Sequence, residues 1–362
     1  MTLTRFRARG FRNLEDSELC FPARVAVLIG NNAQGKTNFL EAVHVLSNLR
    51  SFRTRRVGDL LGPNEEAARL EGRVDGSSGP VDLAVMVTNL GRRALRQGST
   101  PASAAEYLLS FPSVFFGPGD LDLSEGDQDL RRAYADRAAF LWSPNHLGRM
   151  REYGRALKQR NALLRRPGAD LTIWDEQLAE AGARIRQARQ AALEGLRPHL
   201  VSLHEEISGG RDRLEVSWTP EARASDGRSL REEFLESLAR SRPRDRELGF
   251  TTQGPHRDRL SIEVNGHEVR HHGSRGQHRT AALTFKLALL RWSADQAGEA
   301  PAFLVDDPAP ELDPPRLAYL ATTLSEWPGQ VLLTCTDASI VPFSSSADVA
   351  LYRVESGRIR IS

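Results

Sequence analysis

The residues Gly30-Asn31-Asn32-Ala33-Gln34-Gly35-Lys36-Thr37 fit the spacing G-x-x-x-x-G-K-[ST]. Glycines at the two ends let the backbone bend close to a polyphosphate, so that amide N–H groups and a helix N-terminus meet negative charge. Lys36 supplies a compact cation for the β- and γ-phosphates, and the Thr37 hydroxyl supplies a hard oxygen for Mg²⁺. Such chemistry also needs a carboxylate at a neighbouring strand end and a group that polarises the attacking water. Asp306 ends the apolar run Pro301–Val305 and fits the first task. Asp307 follows at once and fits the second, as general base. A Gly-rich surface turn and a solvated acidic corner are the competing readings, and the flanking segments count against both.

Those flanks are specific. Val25-Ala26-Val27-Leu28-Ile29 reads as a strand buried on both faces. Asn38–Leu49 reads as a helix with Phe39, Leu40, Val43 and Leu46 on one stripe. Strand, Gly-rich turn and helix form the context in which this motif binds phosphate. Lysine occurs only at 36, 158 and 286 among many arginines, a bias that follows base composition and makes the cation at 36 more telling.

Around this centre, residues 1–100 are β-rich, with strand candidates at Leu3–Ala8, Ser17–Phe21, Arg69–Val74, Val81–Thr88 and Arg93–Arg96. Arg12, in the turn Gly10–Asn13, is either a nucleotide contact or an ordinary turn arginine. Arg50, Arg53, Arg55 and Arg56 flank Phe52 and fit either a DNA phosphate footprint or a solvated helix end. Helix formers take over beyond Pro118-Gly119-Asp120-Leu121. Leu147, Met150, Gly154, Leu157, Asn161 and Leu164 alternate threes and fours. Trp174, Leu178, Ala181, Ile185, Ala188 and Ala192 resume that spacing after a break at Arg165–Asp170. This predicts an antiparallel helical hairpin with arms on the order of 30 Å. Leu214–Trp218 is a strand candidate and Arg240–Glu247 a charged connection. Leu260–Val264 and His267–Arg270 form a hairpin about Asn265-Gly266, and Thr280–Trp292 is an amphipathic helix. Val331–Cys335 is another buried strand, and Leu351–Ile361 closes as a hairpin.

The expected class is α/β, a P-loop ATPase head with a mixed sheet, a β-rich N-terminal layer and an inserted helical lobe. Its parts are 1–125, 126–248 and 249–362. At 362 residues and net charge +2, composition does not announce a nucleic-acid binder. No window approaches the roughly 20 apolar residues of a membrane span, and Cys20 and Cys335 read as reduced thiols of a cytoplasmic protein. His256, His271, His272 and His278 read as hydrogen-bonding or solvated imidazoles, not zinc ligands.

Lys36 and Asp306 lie about 270 positions apart, too far for an ordinary P-loop kinase. Gly273-Ser274-Arg275-Gly276-Gln277 resembles the signature motif of ABC-type ATPases, and Pro310-Glu311-Leu312-Asp313 resembles their D-loop. Gly10-Phe11-Arg12-Asn13, Ser51-Phe52-Arg53-Thr54 and Thr252-Gln253-Gly254-Pro255-His256-Arg257-Asp258 extend the resemblance along nearly the whole chain to the RecF family, relatives of SMC heads. The resemblance implies ATP and Mg²⁺ as cofactors and ATP-dependent homodimerisation. In such a dimer Ser274, Gly276 and Gln277 of one copy would face the triphosphate held by Gly30–Thr37 of the other. It further implies binding to single-stranded DNA and single-strand/double-strand junctions, slow ATP hydrolysis, and partnership with RecR and RecO in loading recombinase. Two departures accompany it. The acid after Asp306 is Asp307, shorter than the usual Glu, and the switch region offers Thr336 and Asp337 without histidine. Asp120 is the candidate Q-loop residue and a further candidate Mg²⁺ ligand. The alternative is the ATPase subunit of an ABC transporter, which predicts the missing Glu and His.

Overall fold

The computed structural model describes residues 1–219, 229–337 and 348–362. The chain divides into two compact units, Met1–Leu121 with Ala282–Ser362, and Asp122–Ala281. Residues 249–281, expected with the ATPase half, therefore pack in the second unit.

The first unit opens with β1 (Thr2–Arg9) and β2 (Ser17–Cys20), then β3 (Val25–Ile29) and α1 (Lys36–Asn48). β4 (Ala67–Gly76), β5 (Gly79–Thr88) and β6 (Gly91–Arg96) follow. They complete an antiparallel sheet in the order β2-β1-β4-β5-β6. The short α2 (Ala104–Leu109) leads into β7 (Ser113–Phe116).

Next come the elements of the second unit: α3 (Asp122–Glu125), α4 (Gln128–Trp142), α5 (His146–Leu164) and α6 (Thr172–Ser208). β8 (Leu214–Thr219), α7 (Leu230–Leu248), β9 (Arg259–Val264), β10 (His267–Glu268) and α8 (Val269–His272) follow them. α5 and α6 form the expected hairpin, but the second arm, at 37 residues, is twice the first. On α6 five of the six predicted positions (Leu178, Ala181, Ile185, Ala188 and Ala192) are buried, while Trp174 is only half-buried. On α5 the buried face runs through His146, Tyr153, Ala156, Arg160 and Leu164, while Gly154 is exposed. The shift has an electrostatic cause: the Arg160 guanidinium is fully buried between Asp175 (2.5 Å) and Asp245 (2.7 Å). A pattern of apolar residues cannot anticipate a buried cation that brings its own anions. Arg240–Glu247, expected as a connection, is instead the end of α7. That helix starts with a reciprocal Ser229–Glu232 cap and buries Phe234 and Leu238. Asn265 and Gly266 both take positive φ (55° and 78°), the type I′ turn expected between β9 and β10. β10 stops at Glu268, earlier than expected, and the chain coils into α8.

α9 (Arg275–Ala297) begins in the second unit and ends in the first. β11 (Ala302–Asp306), α10 (Pro308–Glu311), α11 (Pro314–Glu326), β12 (Val331–Cys335), β13 (Val349–Glu355) and β14 (Arg358–Ile361) complete the first unit. Its second sheet has the order β14-β13-β3-β12-β11-β7, parallel from β13 to β7 with β14 antiparallel at the edge. β3, β11 and β12 are apolar on both faces, as interior parallel strands must be. α1 packs against strands of both sheets, so it is buried almost all round and not along one stripe. Its Val43 and Val45 are mediocre helix formers, a cost of tenths of a kcal/mol. Burial returns about 1.5–3 kcal/mol for each large apolar side chain, so tertiary packing decides the helix.

Candidate nucleotide-binding site

Parallel strands present their carboxyl ends together, and here β3, β12 and β11 deliver the P-loop, Thr334 and Asp306 to one edge. The Thr37 hydroxyl donates to Asp306 Oδ1 at 3.0 Å, and the Thr334 hydroxyl donates to the same oxygen at 2.6 Å. Asp306 is nearly fully buried. Burial first, and the like charge of Asp307 further down, push its carboxyl above the ordinary carboxylate range against those two hydrogen bonds. Asp307 sits at φ 40°, its N–H directed to Thr334, so its carboxylate leaves the strand on a left-handed turn.

The P-loop is braced from behind. Gly35 takes φ 112°, and a side chain there would meet Asn13 Oδ1 at 3.1 Å. At Gly30 a Cβ would lie 2.4 Å from the Val354 carbonyl of β13. The turn between β13 and β14 holds the crest of the loop: Ser356 N–H donates to Gln34 Oε1 (2.7 Å) and Gly357 N–H to the Gln34 carbonyl (2.8 Å). Lys36 Nζ donates inward to the carbonyls of Gly30 (2.5 Å) and Asn31 (2.9 Å). The lysine is thus held against the loop's own backbone carbonyls.

A cleft of about 520 Å³ opens over this edge, lined by residues 32–38, Phe52, Arg53, Pro118, Asp306 and Asp307. Phe52 stacks on Phe115 (3.7 Å between ring centroids) and forms part of the wall. For Mg²⁺ the cleft offers one hydroxyl and one carboxylate at hydrogen-bond distance, a hard-oxygen pair that fits the ion. Among the described residues no cluster of three or more His, Cys, Asp or Glu could hold a metal. Thr37 and Asp306 would be the protein ligands, with phosphate oxygens and water supplying the rest.

Other predicted residues are placed differently. Arg12 is bound bidentately to the fully buried Glu41 (both 2.9 Å) and is not among the cleft-lining residues. Arg53, predicted as a DNA contact, lines the cleft, with Nη1 on Asn38 Oδ1 (2.7 Å). Arg50, Arg55 and Arg56 are exposed and outside the lining. Asp120 is committed elsewhere: Lys286 Nζ lies at 2.6 Å and the Gly117 N–H at 2.8 Å, so an ammonium stands where a metal was expected. Ser274 and Gln277 cap the N-terminus of α9 reciprocally, Ser274 N–H to Gln277 Oε1 at 2.9 Å and Gln277 N–H to Ser274 Oγ at 3.2 Å. Gly276 lies in the first turn of that helix. Ser274 is exposed, and Gln277 also donates to Asp212 (3.2 Å).

Sequence reasoning missed Thr334, Asn38 and Glu41. Thr334 carried a signal, since a hydroxyl inside the buried run Val331–Cys335 must find a partner. Glu41 carried one too, as an acid inside the apolar run Phe39–Val43 of a buried helix.

Among the described residues no helix is long and apolar enough to cross a membrane. Residues 2–359 match the family described as the RecF/RecN/SMC N terminal domain. The DNA replication and repair protein RecF of Anaeromyxobacter sp. (strain Fw109-5) is 37% identical over 99% of each chain. A solved structure of the recombination mediator protein RecF with ATP, of the RecFOR pathway, is 31% identical. It covers 99% of this chain and 97% of its own at a TM-score of 0.90. An SMC head bound to the C-terminal winged-helix domain of ScpA shares the fold at 14% identity and a TM-score of 0.56, over 99% of this chain and 96% of its own. The motifs, the split mixed-sheet core and these likenesses agree: the chain belongs to the RecF family of DNA replication and repair proteins.

Proposed function

We propose that the chain is an ATP-gated DNA-binding protein of recombinational repair and replication. The observation that carries the nucleotide part is the Thr37–Asp306–Thr334 constellation beside a P-loop whose lysine is held against the Gly30 and Asn31 carbonyls. On ATP binding, Lys36 exchanges the Gly30 and Asn31 carbonyls for phosphate oxygens, and Thr37 and Asp306 hold Mg²⁺. The exposed cap of α9, with Ser274, Gly276 and Gln277, closes on the triphosphate of a second copy, so ATP acts as the glue of a homodimer. Asp307 is the base of a slow hydrolysis that resets the switch. DNA with single-strand/double-strand junctions is the substrate, RecR and RecO are the partners, and the cytoplasm is the compartment. The RecF relatives support this reading, and membership of their family sets the transporter alternative aside.

The test is sedimentation with a non-hydrolysable ATP analogue. Wild type is expected to shift from monomer to dimer. Lys36→Ala is expected to lose nucleotide binding and dimerisation together, and Ser274→Arg to bind nucleotide yet stay monomeric. A dimer that forms equally well in Ser274→Arg would remove the signature from the interface.

A further inference from the structure

Among the described residues α5 carries an unpaired row of cations. Arg151, Arg155 and Lys158 stand at i, i+4 and i+7 and are all exposed, and the row continues into exposed Arg165 and Arg166 just past the helix end. At 100° per residue these cations fall within an arc of about 100°, opposite the face that buries Tyr153, Ala156, Arg160 and Leu164. From Arg151 to Arg165 the row extends about 21 Å. Glu152 is the one acid in 146–166. Among the described residues none of the five cations has an ion-pair partner; Arg165 makes only a long contact to the Gly249 carbonyl (3.4 Å). Like charges at i,i+3 and i,i+4 destabilise a helix by a few tenths of a kcal/mol per pair, so the arrangement is a small standing cost to the fold. Lys158 is also one of only three lysines, and the other two serve the P-loop and the Asp120 ion pair.

We infer that this stripe is a docking surface for the phosphate backbone of nucleic acid. The inference deepens the DNA-binding function proposed above and rests on it. Two observations select the partner. Protein interfaces are anchored by apolar side chains at their centre, and none of the large exposed apolar residues lies on α5. Four arginines offer forked donors that match phosphate oxygens in pairs, along a length over which a duplex presents on the order of twelve phosphate charges. The stripe has no groups suited to reading base edges, so it holds DNA without regard to sequence.

The experiment measures the affinity of the full chain for gapped duplex DNA over a salt series, with a non-hydrolysable ATP analogue present. The triple variant Arg151→Gln, Arg155→Gln, Lys158→Gln is compared with wild type. Its Kd is expected to rise about 10- to 100-fold at 0.15 M salt, and the slope of log K against log salt to flatten by about two to three. Affinity for the ATP analogue should be unchanged and Tm equal to or slightly above wild type, because all three side chains are exposed and the substitutions relieve two like-charge pairs. Glu152→Gln should act oppositely and tighten binding, a result that misfolding does not imitate. A triple variant that keeps wild-type affinity and slope overturns the assignment. If wild type itself fails to bind DNA with nucleotide present, the proposed function falls first, and the two failures are told apart by that control.

Discussion

Arginines crowd two surfaces of this protein, and the two are neutralised differently. On the outer face of the five-stranded sheet, Arg5 faces Glu18 (3.5 Å), Arg7 and Arg9 share Asp16 (2.8 and 3.1 Å), and Arg69 meets Glu71 (2.7 Å). Arg73 lies between Asp75 (4.0 Å) and Asp82 (3.7 Å). Each of these five arginines has an anion within 4 Å, while Arg93 of β6, on the same face, has only the Thr100 hydroxyl (3.4 Å). Exposed pairs contribute only about 0–1 kcal/mol, so their effect is to remove the field from that face. On α5 arginines and Lys158 stand in a row with one acid, Glu152, among them and no ion pair among the described residues, and the field is left pointing into solvent. Charge paired on a surface serves the fold, whereas a row left unpaired is open to a partner. Net charge of +2 conceals the distinction because it averages over both faces.

That contrast can be broken most forcefully in the core. Arg160→Met leaves the fully buried Asp245 without its cation and Asp175 with Arg242 alone (2.6 Å), and is expected to cost about 3–5 kcal/mol of stability. Denaturant unfolding measures it, and a loss below about 1 kcal/mol would show that the helical lobe does not depend on this pairing. Asp306 extends the rule to acids, being a buried carboxylate with hydroxyl partners and no ion-paired cation among the described residues. Its raised folded-state pKa means that the folded chain holds a proton longer than the unfolded one does. Its contribution to stability is therefore most favourable at low pH and is lost as pH rises from the ordinary carboxylate range through the raised value. Mg²⁺ requires the ionised form, so Mg²⁺-dependent nucleotide affinity should fall by up to about tenfold per pH unit below that value. Titration calorimetry across that window checks the slope, and a flat profile would remove Asp306 from the metal. Smallest of all should be the sheet face. Arg5→Gln with Arg73→Gln is expected to change stability by no more than about 1 kcal/mol and to leave the salt slope of DNA binding within about 0.5 of wild type. A flattening as large as that expected from α5 would erase the difference between the two surfaces.

Motifs with local mechanics were legible from the chain alone. The P-loop and the Asn265-Gly266 turn depend on residues a few positions apart, so their chemistry is set by spacing. Asp306 was legible for a related reason: a carboxylate ending a buried apolar strand has few other uses. Spacing says least where a polar group draws its partner from far along the chain. Asp120 was expected at a metal and is held by Lys286; Arg12 was a candidate for the nucleotide and is held by Glu41; the α5 seam shifted because Arg160 reaches Asp245.

The sequence by itself determined the class of the nucleotide core, the strand and helix that flank the P-loop, and the residues able to handle a triphosphate, because hydrophobic period and turn chemistry act over short range. Only the tertiary structure decided which cations are spent and which are left over. An ion pair is settled by distances of 3–4 Å between atoms that can be hundreds of residues apart, and no local pattern encodes that distance.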